Sequence, residues 1–347
     1  MRCFSILKRF SIFFSLAALV IPLKSQAVIQ AYAEISVAAG SQIHFRVKSN
    51  AENFRIIWYR YDLADSTSEK IDDDDLFQFE SYRIPLHQVL NAGTFSVLPQ
   101  ADDDIYAYRD GCNWQITCTL DIPADWPSDF YLAKLLDDLG QDCFVPVIVR
   151  SSSPGSFSRI ANVSATNTWQ AYNTYGGASF YDCVSSACTT GSPIVSYDRP
   201  LPNTTPTTSG HLSDIEHLII KFLKSHDVAY EQLSDRDLHE AASNGLLDNY
   251  DIIILSGHNE YWSAEMKEAL EAFLDRGGKL INLSGNTMFW RIAFDGNKIG
   301  RVARWRVLIP GGEFGILGAG YLGANCCPVC AGLETRRTHW IFNNTSV

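Results

Sequence analysis

The feature that most constrains the fold is an alternation of strand-like and helix-like segments between Ser158 and Gly285. Short apolar runs such as Ile252–Leu255 are typical of buried strands, and they alternate with segments whose apolar residues recur at helical spacing. This alternation predicts a parallel sheet with crossover helices. Because such sheets bind ligands just outside the carboxyl ends of their strands, functional residues are expected directly after the predicted strands.

Two helices in this half have specific start signals. Ser213 and Glu216 have the spacing of a capping box, and Ser263 is expected to cap a second helix that ends at Gly277 and Gly278. The apolar face predicted for the first helix comprises Ile215, Leu218, Ile219, Phe222 and Leu223. The stripe predicted for the second comprises Met266, Leu270, Phe273 and Leu274. A weaker helical pattern covers residues 238–247, and strands are expected at 158–165, 228–234 and 279–285.

The preceding segment, from Val28 to about Arg150, has the alternating pattern of half-buried β-strands. Residues 42–49 alternate apolar and polar side chains, and further strands are expected at 54–61, 128–136 and 143–150, with a turn at Gly140 between the last two. This pattern predicts a β-sandwich or jelly roll. The run Ser151–Ser156 is the expected linker, so we assign residues 28–150 to a β domain and 157–347 to an α/β domain.

The first 27 residues have the features of a secretory signal. Arg2, Lys8 and Arg9 form a positive start, residues 11–23 are largely apolar, and Ser25 and Ala27 are the small residues that a signal peptidase recognises. A membrane anchor is the alternative, although the apolar run is short for a span. We expect export to the periplasm or the extracellular space, a mature N-terminus near Val28, and no membrane association after cleavage.

Charge and cysteine content agree with an exported globular protein. The formal net charge of the 347 residues is −11 and no basic patch stands out, which argues against a nucleic-acid partner. Two short loops predict local disulfides, Cys112–Cys118 and Cys183–Cys188. The run "CCPVC" at 326–330 could instead indicate zinc, but it has no second Cys-x-x-Cys pair.

Polar side chains follow two neighbouring strands of the predicted sheet. His258 and Glu260 come after one strand and Asn286 after the next, so the parallel arrangement brings the two loops side by side. Glu260 could be a metal ligand or a base, and His258 could be a ligand, a proton shuttle or an oxyanion donor. The spacing is not that of the helical His-Glu-x-x-His motif. On spacing alone, the structural alternative that Glu260 caps the helix near Ser263 stays open.

The strand–turn–helix layout is also that of class I glutamine amidotransferases. The turn "LSGNTMF" at 283–289 contains no cysteine, which excludes a glutaminase-type thiol there, and Ser284 lacks the Gly-x-Ser-x-Gly elbow. The other concentration of chemistry is Thr168–Asp182, with three tyrosines and a Gly-Gly turn. Aromatic residues near turns usually pack, but this stretch follows a predicted strand and is placed to face the same crevice as Glu260.

These motifs resemble those of the large (β) subunit of N,N-dimethylformamidase and of proteins that share its domains. The resemblance is carried by "TWQAYNTYGGASFYD", "SYDRPL", "LSDRDLH", "DIIILSGHNEYWS", "GGKLINLSGNTMFWRI" and "GLETRRTHWIF". It also includes the strands of the first half and so covers most of the mature chain. It implies a lectin-like β domain followed by an amidotransferase-like, doubly wound α/β domain.

The resemblance further implies hydrolysis of N-substituted formamides at a mononuclear iron held by two tyrosines and a glutamate. Glu260 matches the glutamate and Tyr172 one tyrosine, while the second is Tyr181 or Tyr197, with Tyr181 favoured. His258 and Asn286 match nearby polar residues, with expected roles in proton transfer or oxyanion stabilisation and in orientation. Phenolate and carboxylate oxygens suit a hard Lewis acid, which would polarise an amide carbonyl.

Two departures from the family pattern bear on the substrate. The family usually has a lysine a little beyond the asparagine. The basic residues of the corresponding stretch, 301–306, are all arginines, and arginine does not transfer protons at neutral pH. The family also continues well past its "HW-F" segment, so we expect missing final strands or a truncated gene.

The leading hypothesis is an exported metal-dependent hydrolase of a small amide. It is compatible with a homo-oligomer and leaves the need for a small subunit open. The alternative is a non-catalytic exported protein, in which the β domain binds a glycan or a cell-surface partner and the α/β domain is a degenerate scaffold. Metal content separates the two hypotheses.

Overall fold

The computed structural model describes residues 29–61, 86–103, 105–184, 189–202, 216–309 and 312–317. The proposed leader, Ser213 of the capping box, the "CCPVC" run and the "GLETRRTHWIF" motif lie outside these ranges, so the predictions on them stay predictions. Within the described ranges, no helix is long and apolar enough to cross a membrane.

Eight strands form two β-sheets in the first half. They are β1 (Gln30–Tyr32), β2 (Ser36–Ala38), β3 (Gln42–Lys48), β4 (Asn53–Tyr61), β5 (Leu86–Ser96), β6 (Cys118–Asp121), β7 (Asp129–Asp137) and β8 (Asp142–Arg150). One sheet has the order β1-β3-β6 and the other the order β2-β8-β7-β4-β5. Neighbouring strands are antiparallel except for β2 and β8. A short helix, α1 (Ala107–Asp110), lies between β5 and β6.

The two sheets share one hydrophobic core because their strands alternate buried and more exposed side chains. In β3, Ile43, Phe45 and Val47 are fully buried, and they belong to the same cluster as Trp58 of β4. The strands predicted here are confirmed, and the β7–β8 hairpin turns at Gly140, whose φ is 77°. Assignment of these sheets to a jelly roll stays a prediction.

A parallel four-stranded sheet organises the second half, which confirms the prediction. Its strands are β9 (Ile160–Ser164), β11 (Glu231–Ser234), β12 (Ile252–Gly257) and β14 (Lys279–Ser284), adjacent in the order β11-β9-β12-β14. The accompanying helices are α2 (Thr166–Tyr172), α3 (His217–Ser225), α4 (Asp235–Asn244) and α5 (Ala264–Asp275). The chain is therefore a mixed α/β protein, and the finer amidotransferase-like arrangement stays a prediction.

A second four-stranded sheet in this half is absent from the sequence prediction. Its strands are β10 (Ile194–Ser196), β13 (Tyr261–Trp262), β15 (Trp290–Asp295) and β16 (Lys298–Arg304), in the order β10-β16-β15-β13. The β15–β16 hairpin turns at Gly296-Asn297, a dipeptide that is itself a hairpin signal. Two short helices, α6 (Trp305–Leu308) and α7 (Phe314–Leu317), follow.

The prediction for α5 is confirmed and that for α3 is wrong in its buried face. Ser263 caps α5, where its Oγ accepts a hydrogen bond from Met266 N at 3.1 Å. In α3, Leu218 and Phe222 of the predicted stripe are 42% and 55% exposed. The buried residues of α3 are His217, Ile220 and Leu223. Of the predicted residues that the structure describes, only Leu223 is among them, because an ionic contact of the helix sets its orientation.

That contact is made by Lys224, which links α3 to the first half. Its ammonium group contacts the Asp129 carboxylate and donates to the Tyr61 carbonyl oxygen at 2.8 Å, with both charged side chains largely buried. Lys224→Met would leave Asp129 buried without this partner, so we expect the free energy of unfolding to fall by about 3 kcal/mol. Lys221→Met, on the exposed side of the same helix, should change it by less than about 0.5 kcal/mol. Urea unfolding of the two variants measures the difference, and equal stabilities would contradict this role.

The predicted Cys112–Cys118 disulfide is wrong, since both cysteines are free. Cys112 follows α1 and packs in a small cluster with Trp114, whereas Cys118 begins β6 and packs against the main core. The two thiols therefore belong to different clusters despite their short separation in sequence. Cys188 lies outside the described residues, so the Cys183–Cys188 disulfide stays a prediction.

Candidate active site

The loop after β12 carries His258 and Glu260 at the carboxyl end of the parallel sheet. Gly257 ends the strand with φ 79°, a left-handed conformation that suits glycine. Thr168 of α2 holds both sides of the loop: its Oγ1 donates to the His258 carbonyl oxygen at 2.5 Å and accepts from Glu260 N at 3.3 Å. This positioning role of Thr168 is not among the predictions from the sequence.

Three tyrosine side chains and one imidazole converge on Glu260. The hydroxyls of Tyr172 and Tyr181 donate to its carboxylate oxygens at 3.1 and 2.8 Å. The Tyr261 hydroxyl donates to that of Tyr181 at 2.5 Å, and His258 Nε2 lies 3.3 Å from Glu260 Oε2. We call these five residues the Glu260 cluster. It unites four of the predicted site residues and adds Tyr261, which the sequence analysis does not assign.

Burial controls protonation in the Glu260 cluster. The Glu260 side chain is only 3% exposed, and burial raises the pKa of its carboxyl, while the two tyrosine hydrogen bonds and the charge of Arg301 oppose that rise. Burial and the negative charge of Glu260 raise the pKa of Tyr172 and of Tyr181. The phenols are therefore protonated at neutral pH, and only added positive charge would favour their phenolate forms.

Asn286 lies on the neighbouring turn, but its side chain does not join the Glu260 cluster. The turn is fastened to the end of β12 by a hydrogen bond from Gly285 N to Gly257 O at 3.0 Å. Asn286 is half-buried and has φ 49°. Among the described residues, its amide makes no hydrogen bond with the cluster, so its role as an orienting group stays a prediction.

Among the described residues, the Tyr197 hydroxyl makes no hydrogen bond with a side chain of the Glu260 cluster. It donates to Asn167 Oδ1 at 2.6 Å. The Tyr197 side chain lines a cavity of about 210 Å³ whose wall includes no member of the cluster. Of the two candidates for the second tyrosine, Tyr181 is the one whose hydroxyl contacts Glu260. The choice of Tyr181 as the second tyrosine stays a prediction, and it is the one taken up in the proposal below.

A family model described as N,N-dimethylformamidase beta subunit-like, C-terminal, matches residues 86–347. The chain belongs to this family. The N,N-dimethylformamidase beta subunit of Paracoccus aminophilus is 23% identical over 221 residues, which cover 53% of this chain and 28% of that protein. The beta subunit from Alcaligenes sp is 22% identical over 218 residues, or 52% and 28% of the two chains. The chain thus spans less than a third of the length of these relatives.

Among solved structures, a marsupial T cell receptor aligns with a TM-score of 0.18 and 15% identity, over 37% of this chain and 54% of that chain. A similarity this low carries no information about the fold.

The Glu260 cluster of this dimethylformamidase-like chain presents phenol and carboxylate oxygens, the kind of ligand atom that hard metal ions prefer. Within the described ranges, no group of three or more His, Cys, Asp or Glu side chains could hold a metal. A metal site there would therefore need tyrosine oxygens. Tyr172, Tyr181 and Glu260 offer oxygen atoms as metal ligands. Both tyrosine hydroxyls already lie within hydrogen-bond distance of the Glu260 carboxylate. Such donors suit a ferric-like ion, so the residues fit the group that the family resemblance implies.

Two buried carboxyl groups that the sequence analysis does not assign to the site anchor α2, the helix that carries part of the Glu260 cluster. Glu216 accepts hydrogen bonds from Ala165 N at 3.2 Å and from Trp169 Nε1 at 2.8 Å. Asp235 accepts from Asn167 N at 2.8 Å. The two carboxyls thus bind backbone N–H groups at the start of the helix, where no intrahelical acceptor exists. Burial raises the pKa of Glu216 to about 8 and that of Asp235 well above its ordinary value.

The pKa of Glu216 predicts a pH-dependent stability. In the unfolded chain this carboxyl ionises near its ordinary pKa of 4.5, whereas in the folded protein it stays protonated up to about pH 8. Between these values the folded state holds the extra proton, so rising pH favours unfolding, by at most about 1.4 kcal/mol per pH unit. Glu216→Gln keeps the neutral shape and should flatten this slope. Urea unfolding at several pH values across the window measures it, and an unchanged slope in the variant would refute the assignment.

Gly257 is required by close packing as well as by its backbone conformation. A methyl group on Gly257 would lie 2.3 Å from Glu216 Cγ, whereas one on Gly140, whose φ of 77° is nearly the same, would have nothing within 4 Å. Gly140→Ala should therefore lower the free energy of unfolding by only about 1–2 kcal/mol, the strain of placing alanine in a left-handed conformation. Gly257→Ala should cost at least about 2 kcal/mol more, because Glu216 has to move. Chemical denaturation of the matched pair tests this, and equal losses would show that the close approach is unimportant.

Proposed function

We propose that this chain is an amide hydrolase of the formamidase type, which cleaves the C–N bond of a small N-substituted amide at a mononuclear iron. Membership of the dimethylformamidase β-subunit-like family supports the reaction class. The observation that carries the proposal is the convergence of the Tyr172 and Tyr181 hydroxyls on the Glu260 carboxylate.

Tyr172, Tyr181 and Glu260 would hold the metal through their oxygens. When bound, a hard Lewis acid supplies polarisation of the amide carbonyl. The surroundings support this assignment, because Glu260 is buried and charges interact more strongly in such a medium. Because the pKa of both phenols is raised, they would lose their protons at neutral pH only when a bound cation stabilises the phenolate forms.

His258 is the proposed proton-transfer group. Its Nε2 lies 3.3 Å from Glu260 Oε2, and its backbone is fixed by Thr168. An imidazole in this position takes a proton from the attacking water and returns one to the departing amine. Asn286, on the adjacent turn, would orient the substrate through its amide group.

Assembly and location form part of the proposal. Both named relatives are beta subunits, so association with another subunit or with further copies of this chain is proposed here too. The leader-like N-terminus supports export. Because the chain spans 28% of each relative and carries arginines where the family usually has a lysine, the relatives' substrate is not transferred to it.

Hydrolysis by the purified protein tests the proposal. N,N-dimethylformamide, N-methylformamide and N-formylglycine are incubated with the protein before and after iron loading, and released amine is measured. Iron-dependent release that disappears in Glu260→Gln and persists in Tyr197→Phe supports an amide hydrolase. Folded protein that releases no amine after iron loading contradicts it and favours the non-catalytic alternative, an exported protein whose β domain binds a glycan.

A further inference from the structure

An arginine that forms no direct ion pair among the described residues lies beside the Glu260 cluster. Arg301 is in β16, and its guanidinium carbon lies 5.5, 5.7 and 4.8 Å from the ring centroids of Phe180, Tyr181 and Trp290. Among the described residues, its side chain makes no hydrogen bond and no ion pair. Aromatic rings therefore hold this side chain in place, and its N–H groups remain available.

Arg236 shows how a stacked arginine in this protein is otherwise satisfied. Its guanidinium carbon lies 5.1 Å from the ring centroid of Phe294. It also forms an ion pair with Glu240 at 3.2 Å and donates to the Gly296 carbonyl oxygen at 2.8 Å. Arg301 has the aromatic contacts without such acceptors, and although its charge acts on the Glu260 carboxyl, it forms no direct ion pair with it.

Tyr181 connects Arg301 with the Glu260 cluster. The ring of Tyr181 faces the guanidinium, while its hydroxyl donates to Glu260 Oε1 at 2.8 Å. Tyr181 is 40% exposed, so the cluster opens to solvent on this side. One tyrosine side chain thus separates the free guanidinium from the carboxylate, and a small molecule that passes Tyr181 would meet both.

The chemistry of a stacked guanidinium identifies the ligand class. Stacking uses the faces of the group and leaves its N–H edge free, and that edge matches the two oxygens of a carboxylate. The chain has a net charge of −11, so an anion is not attracted by the protein as a whole and needs a local cation. We propose that Arg301 binds a carboxylate carried by the substrate, and that the preferred substrates are small anionic amides of the N-acyl amino acid class. The reacting amide in this inference rests on the proposed function, whereas the carboxylate site does not.

Two probes of nearly equal size test the inference. N-formylglycine carries a carboxylate, and N-formylglycinamide has a neutral amide in its place. We expect the purified protein to bind N-formylglycine about 10- to 100-fold more tightly in calorimetry, as for a charge-assisted pair of hydrogen bonds. If the protein hydrolyses the probes, the kcat/KM values for N-formylglycine and N-formylglycinamide are compared in place of their affinities. Arg301→Gln should bring the two values within about threefold, while Arg301→Lys, which keeps the charge but not the fork, should keep part of the preference.

Arg236→Gln is the matched control, since it removes a stacked arginine that is already paired, and it should leave the preference unchanged. Equal affinities for the two probes in the wild-type protein, or binding of neither, would overturn the inference whether or not the variants fold. A preference that survives Arg301→Gln would also overturn it, because another group would then bind the carboxylate. Arg301-dependent binding without hydrolysis would support the carboxylate site and refute the proposed hydrolase. Hydrolysis without a preference for N-formylglycine would support the hydrolase and refute the carboxylate site.

Discussion

Glu260→Gln is expected to lower the affinity of the protein for iron by at least about 100-fold, more than the change typical for residues that only support a metal ligand. Glu260 lies at the centre of its cluster, where both the Tyr172 and the Tyr181 hydroxyl contact its carboxylate. Glutamine keeps the shape of the side chain but removes a negative charge and one anionic oxygen donor. The two phenols alone would then have to compensate the buried cation, and burial already disfavours their charged forms.

Metal content of the purified variant, measured after dialysis against a weak chelator, checks this expectation. His258→Ala is the control, because the imidazole contacts Glu260 but is assigned to proton transfer. It should retain its iron. If Glu260→Gln keeps full occupancy while His258→Ala loses the metal, histidine is the ligand and the assignment is wrong.

His258→Ala is expected to slow turnover by about 10²- to 10⁴-fold, the usual loss for a positioned proton-transfer group. Asn286→Ala should slow it less, since this side chain lies on the adjacent turn and makes no hydrogen bond with the cluster among the described residues. Steady-state kinetics at saturating substrate measures both losses in iron-loaded protein. The pH dependence of kcat provides the second criterion: the limb that reports His258 should disappear in His258→Ala and remain in Asn286→Ala. An unchanged rate in His258→Ala would exclude the imidazole from the reaction.

The position of the candidate site follows from the sequence because it depends on a topological rule. A buried apolar run followed by His258 and Glu260 predicts polar groups at the carboxyl end of a parallel strand, and the structure has them there. The choice between Tyr181 and Tyr197 does not follow from spacing. Tyr181 lies in irregular chain between α2 and β10, and Tyr197 directly follows β10. Tertiary contacts alone bring the Tyr181 hydroxyl to Glu260 and that of Tyr197 to Asn167.

The elements that sequence patterns do not predict are those fixed by distant contacts. The buried face of α3 is set by the contact between Lys224 and Asp129, which are 95 positions apart, and this contact leaves Phe222 exposed. Strands β10 and β13 are missed because two or three residues have no recognisable period, whereas the longer β15–β16 hairpin has a turn signal that the sequence analysis does not use. The spacing of Cys112 and Cys118 limits only how far the chain can reach, whereas the fold places the two thiols in different clusters.

Iron content and visible absorption of the wild-type protein, together with three tyrosine variants, test the central claim most directly. We expect about one iron per chain and a tyrosinate-to-iron charge-transfer band that is weakened in Tyr172→Phe and in Tyr181→Phe. Tyr197→Phe should keep the band, because that hydroxyl is bonded to Asn167. Folded wild-type protein that shows no bound iron and no band after iron reconstitution would contradict the account.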